Sequence, residues 1–448
     1  MDGDRIEAAK VEFWNLQGKF VKSVSKISVL GLGYVGLPLA VVLARHFRVT
    51  GYDLDSSRVS EIRAGQDRTR EVSAAALADS ALVLTDKIED LKGTEFFIVA
   101  VPTPVDGTNR PDLAALRSAS RQVGSVLTKG AVVVYESTVY PGVTEDVCGP
   151  ILEEASGLRC GVDFHLGYSP ERINPGDKEH SLERITKVVA GQTPDVSALL
   201  KEVYGTLNNG NIFVAHDIRT AEAAKVIENA QRDINIAFIN EVTEIFGKLG
   251  ISVHDVLDAA RTKWNFLDFQ PGLVGGHCIG VDPFYLAYCS KEMGHDPEII
   301  LAGRRINDAM GTSLAGRIGT VIDEAFPGET STRLLVLGMT FKENVPDLRN
   351  TKVIDLIRAL EARGHQVDVH DVCADPAEAR RSYEIDLLPS LEGGGPYHAL
   401  VGAVPHGLYR DFTDVSFRSL LHPGGVVADI KGMWRALTLP ENLRRWQL

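Results

Sequence analysis

Apolar and polar positions form blocks along the chain that predict strands and helices in turn. From Lys26 the residues read KISVL, then a glycine turn, then the apolar run LPLAVVLARHF, and then a second strand that ends at Asp53. This order predicts one βαβ unit. Further strand-like runs begin at Phe96, Ala131 and His165, with helical stretches between them. Together these blocks predict a doubly wound parallel sheet.

One long stretch without proline follows, between Asp217 and Gly250. Good helix formers fill it, and its only internal glycine is Gly247. A single helix is therefore predicted, on the order of 50 Å long at about 1.5 Å per residue. Such a helix can link two domains and present a face to another subunit. We therefore expect a homodimer or a higher homo-oligomer.

A third block near Thr332 repeats the strand-helix-strand logic of the first. The strand RLLVL and a turn precede a predicted helix from about Thr351 to Arg363, and the strand QVDVHD follows. The full glycine fingerprint is missing here, so a nucleotide sugar is favoured over a dinucleotide in this crevice. The predicted fold class is α/β, with two Rossmann-like doubly wound domains joined by a long central helix and a helical dimerisation region.

The composition is that of a folded protein with an acidic balance. The chain has 448 residues, 44% of them hydrophobic, and a formal net charge of −13, which argues against a broad basic surface for nucleic acid. No apolar run reaches the roughly 18 residues of a membrane span, and the N-terminus lacks the apolar stretch of a signal peptide. We therefore expect a cytoplasmic protein with an extra N-terminal helix and no membrane partner.

Three glycines form the motif GxGxxG at Gly31, Gly33 and Gly36, directly after a strand and before a helix. The first permits a tight turn, the second lets backbone approach a pyrophosphate, and the third lets the helix pack on the strand. Asp53 follows Gly31 by 22 residues, where a carboxylate can accept ribose hydroxyls and repel a 2′-phosphate. NAD is therefore favoured over NADP. The alternative is that the glycines serve packing alone.

Five scattered cysteines lack CxxC pairing and zinc spacing, which fits a reducing compartment and predicts no metal site. One of them, Cys278, stands in GGHCIGVDP, where two glycines let backbone crowd a ligand beside a thiol. A thiolate can add to an aldehyde and, after hydride loss, form a thioester that water opens. The alternative is that Cys278 is only a small buried apolar residue.

Seven segments, taken in order, resemble the UDP-glucose/GDP-mannose dehydrogenase family across about residues 26 to 430. They are GLGYVGLPLA, VPTP, YESTVYPG, GYSPERINPG, EAAKVIENAQRDINIAFINE, PGLVGGHCIGVDP and FKENVPDLRN. Members of this family remove four electrons from carbon six of a nucleotide sugar, using two NAD in turn. The resemblance therefore implies an NAD-dependent nucleotide-sugar 6-dehydrogenase with Cys278 as its nucleophile.

The resemblance also implies roles for five further residues. Lys225 and Asn229 are spaced i, i+4, so they share one helix face, and in the family such residues steady an alkoxide or oxyanion. Asp282 has the family's spacing for an aspartate that orders water near the thiol. Glu171 matches a glutamate proposed to aid thioester hydrolysis, and Thr138 matches a threonine that contacts water and cofactor.

One departure limits this transfer. The glucose enzymes carry a second glutamate four residues after the first, and this chain has Pro175 there. A mechanism that rests on the second acid does not apply. Without the resemblance, Lys225 and Asn229 read as an exposed lysine and a helix-face asparagine, and Asp282 reads as a turn residue before proline.

The predicted ligand contacts are of two kinds. The cofactor contacts are Gly31, Gly33, Tyr34, Val35, Gly36, Asp53, Arg58, Thr103, Thr138 and Arg349. The substrate contacts are Glu171, Arg172, Ile173, Lys225, Asn229, Gly275, Phe341 and Lys342. The resemblance implies that Lys342 contacts the nucleotide sugar and that Arg349 contacts the cofactor, where their charges would compensate phosphates in an otherwise acidic protein.

The phrases SPERINPGDKEH and PGLVGGHCIGVDPFYL favour the branch that acts on UDP-N-acetylhexosamines, with UDP-N-acetylglucosamine or UDP-N-acetylgalactosamine as substrate. A UDP- or dTDP-glucose 6-dehydrogenase of a polysaccharide or natural-product pathway stays open. So do a simple two-electron dehydrogenase and a non-catalytic nucleotide-sugar-binding protein.

Four segments summarise the predicted organisation. They are an N-terminal extension, an NAD-binding domain, a central helical domain that carries Cys278, and a C-terminal nucleotide-sugar-binding domain. Their predicted bounds are 1–25, 26–210, 211–325 and 326–448.

Overall fold

Two large β-sheets organise the chain, and each belongs to its own unit. The computed structural model describes residues 24–172, 182–276, 279–329 and 331–448, and the backbone at 13–14 and 20–21. The first unit comprises Met1–Glu228 with Phe284–Met293, and the second comprises Asn229–Pro283 with Gly294–Leu448. The bounds of the four predicted segments stay predictions.

The first unit contains ten strands in its described part. They are β1 (Phe13–Trp14), β2 (Phe20–Val21), β3 (Lys26–Leu30), β4 (Arg48–Tyr52), β5 (Val83–Thr85), β6 (Phe96–Val99), β7 (Val132–Tyr135), β8 (His165–Tyr168), β9 (Lys187–Gly191) and β10 (Ile212–Val214). Strands β3 to β10 form one sheet in the order β10-β9-β8-β7-β6-β3-β4-β5. All neighbours are parallel except β8 and β9. This confirms the predicted doubly wound sheet.

Helices cover this sheet. They are α1 (Gly36–Leu43), α2 (Ser56–Arg63), α3 (Ala74–Ala78), α4 (Ala114–Val126), α5 (Gly149–Ser156) and α6 (Pro194–Gly205), with a 3₁₀ turn at Ile88–Leu91 and a π-helical turn at Val143–Cys148. The central strands are apolar on both faces, so they bury themselves between helix layers. In β6, for example, Phe96 and Ile98 on one face and Phe97 and Val99 on the other have no exposed surface.

The predicted long helix is confirmed as α7 (Ile218–Leu249). Its residues through Glu228 belong to the first unit, and those from Asn229 belong to the second. Positions with the spacing of one helix face, such as Val226, Asp233, Ala237 and Asn240, are buried.

The second unit has a five-stranded parallel sheet in the order β12-β11-β13-β14-β15. Its strands are β11 (Arg333–Leu337), β12 (Gln366–His370), β13 (Tyr397–Gly402), β14 (Leu421–Asp429) and β15 (Arg444–Gln447). The remaining helices are α8 (Val253–Ala260), α9 (Asp282–Glu292), α10 (Glu298–Ala325), α11 (Val353–Ala362), α12 (Pro376–Tyr383), α13 (Gly407–Arg410) and α14 (Asp414–Leu420). All of α9 from Phe284 is assigned to the first unit.

The first turn of the second sheet repeats that of the first. Gly338 follows β11 with a φ of +89°, as Gly31 follows β3, and each amide donates to the last carbonyl of the next strand at 2.9 Å. The full glycine fingerprint does not recur. Both predicted Rossmann-like sheets, and the predicted difference between their glycine turns, are therefore confirmed.

The predicted N-terminal helix is not supported by the residues that the structure describes there. Phe13–Trp14 and Phe20–Val21 pair as an antiparallel ribbon, so a helix through these four positions is wrong. Aromatic and β-branched residues, such as those at these four positions, favour a strand.

Candidate active site

The glycine turn after β3 has two close backbone contacts and one open side. Gly31 has a φ of +89°, and a Cβ there would lie 2.6 Å from the carbonyl oxygen of Ala100. A Cβ on Gly36 would lie 1.8 Å from the carbonyl oxygen of Gly31, whereas a Cβ on Gly33 would meet no atom within 4 Å. Packing therefore requires the first and third glycines, and the second leaves the turn open to a ligand.

The start of α1 offers the donors that a pyrophosphate needs. Val35 precedes the helix and supplies no side-chain cap to its first amides. Val35 is buried and Tyr34 is half-buried at this turn. The phosphates of the predicted NAD fit here, because helix N-terminal amides and the helix dipole favour negative charge.

Asp53 follows β4 and holds the same glycine turn. Its Oδ2 accepts a hydrogen bond from the Leu32 amide at 2.8 Å, and its Oδ1 accepts one from the Asp55 amide at 2.9 Å. A carboxylate oxygen can accept more than one hydrogen bond. The position is therefore compatible with a second set of bonds to the ribose hydroxyls of NAD.

Arg58, on α2, lies beneath this turn. It is buried, and its Nε donates to the Leu32 carbonyl at 2.9 Å while its NH2 group pairs with Asp67 at 2.6 Å. Its third contact is with Glu61 at 3.1 Å. These bonds support the cofactor turn from below, and a direct contact between Arg58 and NAD stays a prediction.

Two predicted threonines meet at the carboxyl ends of β6 and β7. The Thr103 hydroxyl donates to the carbonyl oxygen of Thr138 at 2.7 Å. Tyr285, on α9, donates its hydroxyl to the Thr103 carbonyl at 2.8 Å and lies 3.2 Å from the Pro104 carbonyl. Sequence reasoning missed Tyr285, because nothing in its neighbourhood distinguishes it from an ordinary helix-face tyrosine.

The segment after β8 carries two further predicted residues. Glu171 is 7% exposed, and Arg172 pairs with Glu228 at 2.8 Å and donates to the Thr186 carbonyl at 2.9 Å. Ile173 lies outside the described residues, as does Pro175. The structure thus positions the Arg172 guanidinium through groups of the first unit.

Lys225 lies in the first-unit part of α7 and is only 5% exposed, as is Asn229 four residues on. One alternative for Lys225, an exposed lysine, is therefore wrong. Burying a lysine costs free energy unless other groups satisfy its charge. A buried ammonium group can compensate negative charge on a reacting oxygen, and the role of Lys225 stays a prediction.

In the second unit, Asn229 contacts the predicted aspartate. Its Nδ2 donates to Oδ2 of Asp282 at 2.5 Å, and Asp282, the first residue of α9, is 1% exposed. Cys278 lies outside the described residues, four positions before Asp282. The structure therefore brings together two predicted catalytic side chains, Asn229 and Asp282, and the second of them is near Cys278 in sequence.

The segment before Cys278 is held by a buried side-chain amide, that of Asn240. Asn240, on α7, donates to the Gly272 carbonyl at 3.0 Å and accepts from the Gly272 amide at 2.8 Å. It also donates to Asn307 at 2.9 Å, and Asn307 in turn bonds Asp233, which pairs with Arg304 at 2.6 Å. This network could have been found in the sequence from Asp233 and Asn240, two polar residues seven positions apart on one face of the predicted helix.

The next residues of the segment pack on the loop after β11. A Cβ on Gly275 would lie 2.7 Å from the Asn350 carbonyl oxygen, and one on Gly276 would lie 2.9 Å from the Phe341 ring. The Asn350 side chain donates to the Gly276 carbonyl at 3.3 Å. Glycine is therefore required at both positions, and the predicted substrate contacts Gly275 and Phe341 lie together.

The two predicted phosphate-compensating cations lie in the same loop. Lys342 is half-buried, next to Phe341. Arg349 is exposed, and its guanidinium pairs with Asp347 at 2.6 Å. Their contacts with substrate and cofactor stay predictions.

One cluster in the second unit has metal-ligand residue types. Oxygen, sulfur and nitrogen atoms of Asp371, Cys373 and His406 lie within 4.8 Å of one another. However, Asp371 already accepts hydrogen bonds from four backbone amides and from His406 Nε2, and His406 Nδ1 accepts from the Asn344 amide. Burial opposes ionisation, yet His406 and the amides hold the pKa of Asp371 far below its ordinary value. We assign this cluster to loop stabilisation.

Within the described residues, no helix combines the length and the apolar character that membrane crossing requires.

Comparisons with known proteins place these features in one family. The NAD binding domain, the central domain and the UDP binding domain of the UDP-glucose/GDP-mannose dehydrogenase family match residues 25–208, 219–309 and 335–436. Protein CapL of Staphylococcus aureus is 50% identical over 94% of this chain and 99% of its own length. The UDP-N-acetyl-D-glucosamine 6-dehydrogenase of Pseudomonas aeruginosa is 48% identical over 91% of this chain and 96% of its own.

A solved structure agrees. The UDP-D-ManNAc dehydrogenase of Pyrococcus horikoshii superposes with a TM-score of 0.84 at 31% identity, covering 94% of this chain and 98% of that one. The predicted fold class, the NAD cofactor and the prediction of a nucleotide-sugar dehydrogenase are confirmed. The chain belongs to the UDP-glucose/GDP-mannose dehydrogenase family.

Proposed function

We propose that this enzyme oxidises carbon six of a UDP-N-acetylhexosamine from a primary alcohol to a carboxylate, with Cys278 as covalent catalyst. The observation that carries the proposal is the buried Asn229–Asp282 pair, at 2.5 Å, on the two helices that flank the cysteine segment in sequence. A buried amide and carboxylate in contact are suited to ordering a reacting oxygen and water.

The two oxidations make different demands on the protein. NAD, when bound, accepts a hydride in each of them. Lys225 compensates negative charge on the carbon-six oxygen, and the second amide hydrogen of Asn229 donates to that oxygen. Thr138, whose carbonyl holds the Thr103 hydroxyl, orders water at the cofactor side.

The thiol enters at the aldehyde stage. The Cys278 thiolate adds to the carbonyl carbon, and the thiohemiacetal loses a hydride to become a thioester. Glu171 accepts a proton from water as the water attacks the thioester carbonyl, and the thiolate leaves. Asp282 orders groups near the thiol. The sum is one alcohol, one water and two NAD⁺ giving one carboxylate, two NADH and three protons.

The sugar is proposed from the relatives. Proteins named UDP-N-acetyl-D-glucosamine 6-dehydrogenase, from Pseudomonas aeruginosa and Salmonella typhi, are 48% and 46% identical over 91% of this chain. We therefore propose UDP-N-acetylglucosamine as the preferred substrate, ahead of UDP-N-acetylgalactosamine and UDP-glucose.

A substrate panel tests the proposal. Purified enzyme with NAD is offered UDP-N-acetylglucosamine, UDP-N-acetylgalactosamine, UDP-N-acetylmannosamine, UDP-glucose and dTDP-glucose, and NADH per sugar consumed is measured. We expect two NADH per sugar and the highest kcat/KM with UDP-N-acetylglucosamine. A higher value with either glucose nucleotide overturns the sugar assignment, and a ratio of one NADH overturns the four-electron chemistry.

A cysteine variant tests the covalent step. Cys278→Ser is expected to lose acid formation and to keep NAD binding, because a serine hydroxyl is a weaker nucleophile than a thiolate. Normal turnover in this variant contradicts the thioester route.

We also propose a homodimer that forms through α7, in the cytoplasm. Phe238, Ile245 and Leu249 are 58%, 51% and 64% exposed, and their spacing of seven and four residues places them on one face of the helix. An apolar stripe of this kind is typical of a surface that a partner covers.

A further inference from the structure

The first unit contains an ion pair that the proposed reaction does not use. Glu136 directly follows β7, and Lys187 is the first residue of β9. Lys187 Nζ lies 2.8 Å from Glu136 Oε2, and the two side chains are 1% and 0% exposed. Moving both charges out of water costs several kcal/mol per ion, and hydrophobic residues of similar size often serve stability as well.

The ammonium has a second contact that connects it to the reaction. Lys187 Nζ donates to the carbonyl oxygen of Pro170 at 3.4 Å, and Pro170 directly precedes Glu171. The Tyr204 ring covers the ammonium, with its centroid at 5.5 Å. The lysine therefore fixes the backbone from which the Glu171 side chain extends.

Glu136, the partner of Lys187, lies in the segment that carries the predicted catalytic residue Thr138. Glu136 stands two residues before Thr138 in YESTVYPG. The ion pair thus joins the carboxyl end of β7 to the segment after β8, the places where Thr138 and Glu171 lie. No other ion pair in the described part of the first unit is buried this deeply.

The charges of Lys187 and Glu171 also act on Glu136. Burial raises the pKa of Glu136, Lys187 lowers it, and the charge of Glu171 raises it further. The two carboxylates therefore repel each other, and the ammonium between β7 and the Pro170 carbonyl offsets that repulsion.

We propose that Lys187, held by Glu136, is a positioning residue that aims Glu171 at the water in the last step, hydrolysis of the thioester. The inference rests on the proposed function. It assigns Lys187 no contact with the sugar or with NAD, so both hydride transfers should proceed without it.

The test is the double variant Glu136→Gln/Lys187→Met. It removes both charges together, so no buried charge is left unpaired, and folding is checked by circular dichroism and thermal unfolding. With NAD and UDP-N-acetylglucosamine, rapid mixing should show a fast burst of NADH and then turnover slower by on the order of 10-fold to 100-fold. The Kd for NAD should change less than about twofold, and intact mass should show acyl-enzyme accumulating.

A surface pair in the same unit provides the control. Lys129 and Asp163 pair at 3.0 Å with the lysine 74% exposed, and Lys129→Met/Asp163→Asn should keep the wild-type burst and steady rate. Equal slowing of the burst and of the steady rate in the Glu136/Lys187 variant overturns the inference, as does wild-type turnover.

The wild-type enzyme separates this failure from a failure of the proposed function. If wild type releases two NADH per sugar and forms an acyl-enzyme on Cys278, while the double variant hydrolyses it at the wild-type rate, only the role of Lys187 is wrong. If wild type releases one NADH and forms no acyl-enzyme, the proposed function is wrong and the inference falls with it.

Discussion

Asp53 has a double task at the end of β4. Its carboxylate accepts hydrogen bonds from the Leu32 and Asp55 amides. It is also the predicted source of the negative charge that repels the 2′-phosphate of NADP. An asparagine keeps one acceptor oxygen and the shape of the side chain but loses the charge. One of the two turn amides therefore loses its acceptor, which weakens binding of both cofactors, and the NAD-to-NADP ratio distinguishes that effect from the loss of charge.

We therefore expect Asp53→Asn to raise the KM for NAD on the order of tenfold and to narrow the preference for NAD over NADP. Steady-state kinetics with both cofactors measure it. Asp55→Asn is the matched control, because Asp55 lies two residues on and caps α2. An unchanged NAD-to-NADP ratio in Asp53→Asn contradicts a contact with the ribose.

Among single residues, the sequence predicted those that a recognisable motif requires for backbone geometry or for chemistry. Gly31, Gly36 and Asp53 fall in this class, since a positive φ, a close approach or a strand end dictates them. Glu136 and Lys187 do not. In sequence, a glutamate after a strand and a lysine at the start of one resemble ordinary surface residues, and only the fold shows that they are buried against each other.

At the scale of elements, α7 and α10 hold the segment that leads to Cys278. The Asn240 side chain donates a hydrogen bond to the Gly272 carbonyl and accepts one from the Gly272 amide. A further hydrogen bond to Asn307 fixes the Asn240 side chain. Removing it leaves the Gly272 amide and carbonyl buried without that partner, which costs about 1–3 kcal/mol for each group. The segment should then lose its fixed position.

Asn240→Ala is therefore expected to lower kcat on the order of 10-fold to 100-fold while NAD binding is retained, because the cofactor turn belongs to the first unit. Turnover and NAD titration measure the two effects. Asn235→Ala is the matched control on the same helix, since Asn235 bonds only the Gln231 carbonyl among the described groups. Equal activity of both variants contradicts the role of Asn240.

The π-helical turn Val143–Cys148 depends on a buried carboxyl of α7. Glu222 has no exposed surface and accepts from the Gly142 amide at 2.6 Å and the Thr144 amide at 2.9 Å. Burial raises the pKa of Glu222 from 4.5 to about 7, although these hydrogen bonds lower it. Because the folded pKa is the higher one, the linked stability is present below pH 4.5 and is lost as pH rises through 7.

We expect the contribution of Glu222 to the free energy of unfolding to fall by on the order of 3 kcal/mol between pH 4.5 and pH 7.5. Glu222→Gln should flatten that part of the profile, as measured by urea denaturation across the range. Glu241→Gln, at an exposed site on the same helix, should leave it unchanged. A profile in Glu222→Gln that keeps the wild-type slope contradicts the assignment.

Elements were predicted best where periodicity was strong and local. Strands β3, β6 and β11 and the whole of α7 follow directly from apolar runs and helix formers. The antiparallel β8–β9 pair and the pairing of Phe13–Trp14 with Phe20–Val21 were not predicted, because strand direction and short pairing depend on other chain segments rather than on local pattern.

At the scale of the whole molecule, the exposed stripe on α7 predicts the assembly. Phe238 and Ile245 lie seven residues apart on one face, each more than half exposed. Lysine at both positions places two charges on that face in each subunit, so paired subunits would bury four like charges at a high desolvation cost. The double variant Phe238→Lys/Ile245→Lys should therefore be monomeric at concentrations where wild type is a dimer.

Light scattering coupled to size exclusion measures the mass, which for one chain is 48.7 kDa. Val415→Lys is the control, because Val415 is 74% exposed on α14 and lies outside the stripe, so this variant should keep the wild-type mass. A dimer that survives both lysines excludes α7 as the contact. Loss of the dimer in Val415→Lys also excludes it, because the stripe would then be no more sensitive to charge than any exposed apolar site.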